Sequence, residues 1–185
     1  MRLYRIKDDY GDNVDIKMKG YPLIPGDIPG RLVAVHSMQS RMKAGADALE
    51  NEARFVPWPD WEYYPSSSMP ALEAAMMVKD QNPELFQRFD LALFKAFFEE
   101  CRDISQMETL LEVAEESGVN KVNLENQLTA RTYRPAVISD FMECLQKYGK
   151  WAQGIPLISF NDSPPLVGCA PLGVYRTAIE RHVNP

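Results

Sequence analysis

The sequence predicts an α/β fold in which a small sheet is interrupted by a long helical insertion. Three observations carry that expectation. Val14-Asp15-Ile16-Lys17-Met18-Lys19 alternates strictly between apolar and polar residues, the period of a strand with one buried face. A run of helical patterns occupies roughly residues 68–150. Beyond it, Gly154-Ile155-Pro156 feeds the short apolar run Leu157-Ile158-Ser159-Phe160, followed by Leu166-Val167-Gly168 and a helical pattern over Leu172 to Val183. Proline cannot donate to a ladder, so Pro156 belongs at a strand's first residue or edge.

In chain order, Leu3, Ile6 and Tyr10 are spaced as one face of a helix, which Gly11-Asp12-Asn13 ends. The alternating strand follows. Gly20 to Arg31, with three prolines and three glycines, is a loop, and Val35 to Phe55 has a weak helical pattern. Val56 to Pro65 is an aromatic and proline-rich connection containing Trp58, Trp61, Tyr63 and Tyr64. Ser66-Ser67-Ser68 reads as a turn and cap before a helix to Lys79. Asn82-Pro83 starts the next helix as cap and first residue, and Phe86, Phe89, Leu93 and Phe97 form its core stripe. Ser105-Gln106-Met107-Glu108 has the spacing of a capping box, for a helix ending at Gly118. A short helix over Val122 to Ala130 and a longer one from Pro135 to Lys150 complete the block, the latter with Val137, Phe141, Cys144, Leu145 and Tyr148 on one face.

The 185 residues suit one domain with an inserted subdomain. With 45% hydrophobic and 25% charged residues the composition is that of a soluble globular protein. The net charge of −6 and the absence of a basic stripe argue against nucleic-acid binding. No apolar run approaches the ~20 residues that span a bilayer, and the N-terminus lacks a signal-peptide core, so the expected location is cytoplasmic with no membrane partner. Cys101, Cys144 and Cys169 are far apart and odd in number, which suits reduced thiols. Cys101 follows a helix C-terminus, where the dipole disfavours a thiolate, and Cys144 sits on an apolar helix face. Cys169 precedes the final helix, where a thiolate is best supported, and is the weak catalytic candidate. His36 and His182 have no partners at metal-ligand spacing, so no metal site is expected, and nothing calls for a cofactor.

The order of these segments resembles the DsbA family of thioredoxin-fold proteins across the whole chain. Tyr10-Gly11-Asp12-Asn13-Val14-Asp15-Ile16-Lys17 looks like the entry to that family's second strand, and Tyr21-Pro22-Leu23-Ile24-Pro25 like the turn after it. Leu93-Phe94-Lys95-Ala96-Phe97-Phe98-Glu99-Glu100 with Asp103-Ile104-Ser105 is similar to the insertion helix of cytoplasmic, FrnE-like members. The resemblance implies a thioredoxin-like core over residues 1–34 and 151–185 and a helical insertion over 35–150. It implies that Pro156 is cis, that the backbone of Ile155 pairs with an extended substrate segment, and that Gly168 allows close backbone approach. These three are the expected substrate-binding residues, and the partner is a protein thiol or disulfide, or a small thiol.

The family's chemistry rests on a Cys-x-x-Cys motif at a helix N-terminus, and no such spacing occurs here. Aligned on the family, Met1 falls within the first helix, with the first strand and the dithiol upstream of it. The first strand is central in this fold, so the slot between Val14–Lys19 and Leu157–Phe160 is expected to be filled. Upstream residues, Leu3–Ile6 rearranged, or a strand from a second copy in a homodimer are the candidates. The resemblance thus implies a thiol-disulfide oxidoreductase family protein whose dithiol lies outside these residues. Two alternatives are a redox-inactive binding protein of the same fold and a glutathione-dependent isomerase or transferase of the kappa-like group. Cys169-Ala170 stand where the latter group carries polar residues.

Overall fold

The computed structural model describes residues 2–24, 54–59, 64–151 and 154–183. The helix expected from Val35, most of the loop before it, and Trp61, Tyr63 and His36 lie outside the described residues. The chain divides into two compact units, Met1–Lys19 with Met142–Pro185, and Gly20–Phe141.

The Gly20–Phe141 unit is built on helices α2 (Met69–Gln81), α3 (Pro83–Phe98), α4 (Met107–Ser117) and α5 (Lys121–Thr129). Each packs on its chain neighbour, and α2 also contacts α4 and α5. Their shared core includes Ala74, Met77, Val78, Phe89, Leu93, Leu110, Val113 and Leu124. The Asn82–Pro83 step breaks α2 from α3 as its residues dictate, with proline at the first helical position, where a missing N–H costs nothing. Phe89 and Leu93 from the expected stripe are buried. Phe97 turns to a second cluster, where its ring meets Trp58 at 5.5 Å and Tyr64 at 5.6 Å between centroids. Burial pushes the Tyr64 hydroxyl up to about 12. These aromatics are therefore core, not a groove lining.

Two helix ends instruct. Gly118 at φ +80° closes α4, its N–H and that of Val119 returning to Glu115 and Ala114. That is the left-handed cap glycine provides without a Cβ penalty. The start of α4 differs from the expected capping box. Gln106, not Ser105, is the cap residue, because Asp103 captures the N–H of Ser105 at 2.9 Å and its hydroxyl at 2.5 Å. An aspartate two residues upstream competes for the serine, and the Asx turn wins.

In the other unit, helix α1 (Arg2–Tyr10) packs on the C-terminal helix α7 (Leu172–Val183), burying Ile6 against Tyr175 and Ile179. Asp9 and Arg176 join the same helices at 2.6 Å. Helix α6 (Arg134–Tyr148) crosses the boundary between the units at Phe141. The sheet consists of β1 (Leu157–Ile158) and β2 (Leu166–Val167), antiparallel, with Leu157 opposite Val167 and Ile158 opposite Leu166.

Val14–Lys19 is not a strand. Its side chains do alternate, the even positions half-buried and the odd ones exposed, and Val14 and Ile16 pack with the Ile6–Tyr175 cluster. The backbone nevertheless joins no ladder, because among the described residues no strand lies against it. Leu3–Ile6 stays helical, and β1 pairs only with β2, so among the described residues no strand fills the expected slot. The alternating pattern reports one-sided burial. Strand assignment needs a hydrogen-bonding neighbour as well.

Two substitutions check this packing by urea denaturation. Gly118→Ala forces a side chain into the left-handed region and is expected to cost about 1 kcal/mol. Phe89→Ala, at a site with no exposed surface, should cost about 3–5 kcal/mol.

Candidate functional site

The residues the sequence singled out converge on one end of the small sheet. The Ile155–Pro156 bond is cis. It leads directly into β1, and the carbonyl of Pro156 accepts the N–H of Gly168 at 2.8 Å. That bond continues the two-residue ladder by one link, from the residue before β1 to the residue after β2. Gly168 has φ +85°, so the chain turns away after β2 in a conformation that side chains resist. A Cβ at Gly168 would meet no atom within 4 Å, so the glycine answers a backbone requirement, not a steric one.

The sheet's own turn is made by Phe160 to Ser163, with the Ser163 N–H on the Phe160 carbonyl at 3.0 Å and Asn161 at φ +50°. Asparagine tolerates that region better than most residues. Phe160 stacks with His182 of α7, and Ser163 and His182 lie 2.9 Å apart, so the turn is tied to the last helix. On the other side the Tyr148 hydroxyl of α6 meets Ser159 at 2.7 Å.

Around this end apolar side chains face outward. Ile155 is 42% exposed and Val167 46%. Among the described residues the N–H and carbonyl of Ile155 make no backbone hydrogen bond. An exposed apolar side chain beside unpaired backbone groups is the chemistry by which an extended segment docks: main-chain bonds give affinity and side-chain contacts add selectivity.

Cys169 follows Gly168 and is exposed. Two groups hold the next residue. Arg2 of α1 donates from Nη1 to the Ala170 carbonyl, and the Ala170 N–H donates to the hydroxyl of Tyr175 at 3.0 Å. Arg2 and Tyr175 escaped the sequence reading because their partner lies far along the chain or offers only backbone atoms. No local pattern announces such pairs.

The three thiols are not brought together as a pair. All are free. Cys101 follows α3 at φ +51°, and its thiol points to the Val56 and Pro57 carbonyls at 3.6 and 3.8 Å. Burial raises its pKa above the ordinary thiol value. Burial also raises that of Cys144, against a smaller opposing pull from Lys19. Cys144 is half-buried, more open than its apolar face suggested. Among the described residues no group of three His, Cys, Asp or Glu is arranged to hold a metal ion, and no helix is long and apolar enough to cross a membrane.

The model of the DSBA-like thioredoxin domain family matches residues 1–180. The chain belongs to that family. Among curated proteins none matches the sequence. Two solved structures share the fold. One is a candidate protein disulfide isomerase from Nitrosomonas europaea, with a TM-score of 0.74 at 17% identity, covering 97% of this chain and 87% of that one. The other is a candidate DsbA oxidoreductase from Streptomyces coelicolor, with a TM-score of 0.74 at 18% identity, covering 97% and 81%. The architecture is thus a DsbA-like thioredoxin fold, rich in helix and with a small sheet, as the segment order implied.

Exposure and pKa together fix the order of thiol reactivity. At pH 7.5, iodoacetamide followed by peptide mass spectrometry should modify Cys169 first. Cys101 and Cys144 should lag, because a raised pKa leaves less thiolate at that pH. Both raised values also predict a loss of stability as pH climbs above ~8.5, the unfolded thiol's pKa, since the unfolded chain then ionises more readily. Faster labelling of Cys101 than of Cys169 would contradict the assignment.

Proposed function

We propose that this chain is the substrate-holding body of a DsbA-like thiol-disulfide oxidoreductase. It docks an extended, cysteine-bearing polypeptide segment along Ile155, Pro156 and Gly168. The observation that carries this reading is the clamped turn. The Gly168-to-Pro156 bond fixes the loop while the backbone and side chain of Ile155 stay open to a partner. Preorganised backbone donors and acceptors lower the ordering cost of binding an extended segment.

Exchange itself needs a thiolate that attacks one sulfur of the substrate disulfide, forms a mixed disulfide and releases the other sulfur as thiolate. A second cysteine then displaces the enzyme from that intermediate. These 185 residues have no Cys-x-x-Cys to supply the pair. In this reading the nucleophile is contributed from outside them and the chain presents the substrate. The three free thiols support a reducing, cytoplasmic setting. The Leu93–Glu100 segment, which contains the last turns of α3, supports placement with the FrnE-like branch.

A second reading is favoured by the same thiols. Cys101 and Cys144 both have pKa values raised by burial, which suits a redox-inactive binding protein that keeps the docking edge and dispenses with the dithiol.

Binding is tested by fluorescence anisotropy with a labelled, reduced insulin B chain. Ile155→Asp should weaken binding about tenfold, the loss expected when a half-exposed apolar anchor is removed. Its melting temperature should stay unchanged. Unaltered binding would remove the docking role. Insulin reduction by this chain is expected to stay at background, and activity lost on Cys169→Ser would instead make Cys169 a single-cysteine centre.

A further inference from the structure

The segment after α1 has the form of a strand and lacks a strand's neighbour. It leaves the turn at Asn13 with Val14 already extended, at φ −128° and ψ 133°. Its even side chains are half-buried and its odd ones exposed. Yet among the described residues the N–H and carbonyl groups of Asp15, Ile16 and Lys17 make no backbone hydrogen bond. An extended segment with one half-buried face and unpaired main-chain groups is a template for pairing with another strand.

Successive residues of an extended chain aim these groups at opposite edges. One edge carries Val14, whose carbonyl accepts from the Nζ of Lys7 on α1 at 3.2 Å. The other edge carries Asp15 and Lys17. On the exposed face these two side chains, each 78% exposed, lie 3.5 Å apart as an ion pair.

The order of these charges selects the partner. In-register parallel pairing with an identical segment would set Asp15 against Asp15 and Lys17 against Lys17, and like charges directly opposite destabilise a sheet. Two-fold antiparallel pairing centred on Asp15 or on Lys17 again places a charge against its own kind. Centred on Ile16, it sets Asp15 against the partner's Lys17 and Lys17 against the partner's Asp15. Signs then alternate around the two-fold axis, and the half-buried faces of both segments stay on one side. Among these registers the segment is complementary to itself in that one alone.

We propose that the Asp15–Lys17 edge is the interface of a two-fold dimer of this chain, independent of the docking role of Ile155. Asp15 and the partner's Lys17 exchange both main-chain hydrogen bonds, as Lys17 and the partner's Asp15 do. The two Ile16 side chains meet between those pairs. The contact is short and selected by charge, so the dimer is weak, with a dissociation constant on the order of 100 µM.

Sedimentation velocity between about 5 and about 500 µM tests the interface and should show a monomer–dimer equilibrium. Over the same range, hydrogen exchange read by NMR should show the Asp15 and Lys17 amides gaining protection as the dimer forms. Asp15→Lys and Lys17→Glu each bring like charges together at both pairs. Each should weaken the dimer about tenfold or more, with the melting temperature of the dilute protein unchanged. An equimolar mixture of the two variants should recover wild-type association, because each chain then faces opposite charges. A chain still monomeric at ~500 µM, a dimer indifferent to both variants, or a mixture no better than its components would overturn the proposal. So would protection of those amides in the dilute monomer, which would mean that a strand of the same polypeptide covers the edge.

Discussion

The hydrogen bond from Gly168 to Pro156 organises the end of the sheet that we propose as the docking edge. The sheet on which the site rests is only two residues wide on each strand. Pairs that short are marginal alone. The extra link joins the residue before β1 to the residue after β2 and sets where the chain departs on both sides. Departure after Gly168 carries Cys169 and Ala170 toward α1 and α7, where Arg2 and Tyr175 hold Ala170. Departure before Pro156 leaves Ile155 facing solvent. A single backbone contact thus separates a side held against two helices at Ala170 from an open side at Ile155.

Support for this short sheet comes from helices. Ile6, Tyr175 and Ile179 form the buried centre beneath it, with Ile158, Phe160 and Leu166 packed around them. The Gly20–Phe141 unit has its own, larger core. Its helices follow ordinary rules of capping and burial, save where Arg131, at φ +54° after α5, stands in a glycine's place. The two units therefore differ in chemistry: one has an open edge with apolar side chains, and the other a small pocket lined in part by Glu73, Arg131 and Arg134.

Much of this was legible in the sequence, for physical reasons that differ by element. Helix α7 spans Leu172 to Val183 as its periodicity indicated, and Asn82–Pro83 marks the break between α2 and α3, because caps and apolar spacing are local signals. Ile155, Pro156 and Gly168 were singled out through a segment order that resembles a family, not through any local rule, and their binding role is a proposal. Val14–Lys19 misled because alternation records burial and is silent about a hydrogen-bonding neighbour. Ser105 misled because Asp103, two residues away, competes for the same donors. Arg2 and the Glu73–Arg134 pair were invisible, since contacts between residues 168 and 61 positions apart leave no pattern within a window of sequence, and Tyr175 accepts only a backbone N–H, five residues away.

The central claim is that the clamped loop is a docking edge for an extended polypeptide. Its most direct measurement is a two-dimensional amide NMR titration of the protein with reduced insulin B chain. The account predicts that the amides of Ile155, Val167 and Gly168 shift first, with the exchange protection of the Gly168 amide retained throughout. Shifts confined to the Gly20–Phe141 unit, with Ile155 and Val167 unmoved at saturation, would contradict it.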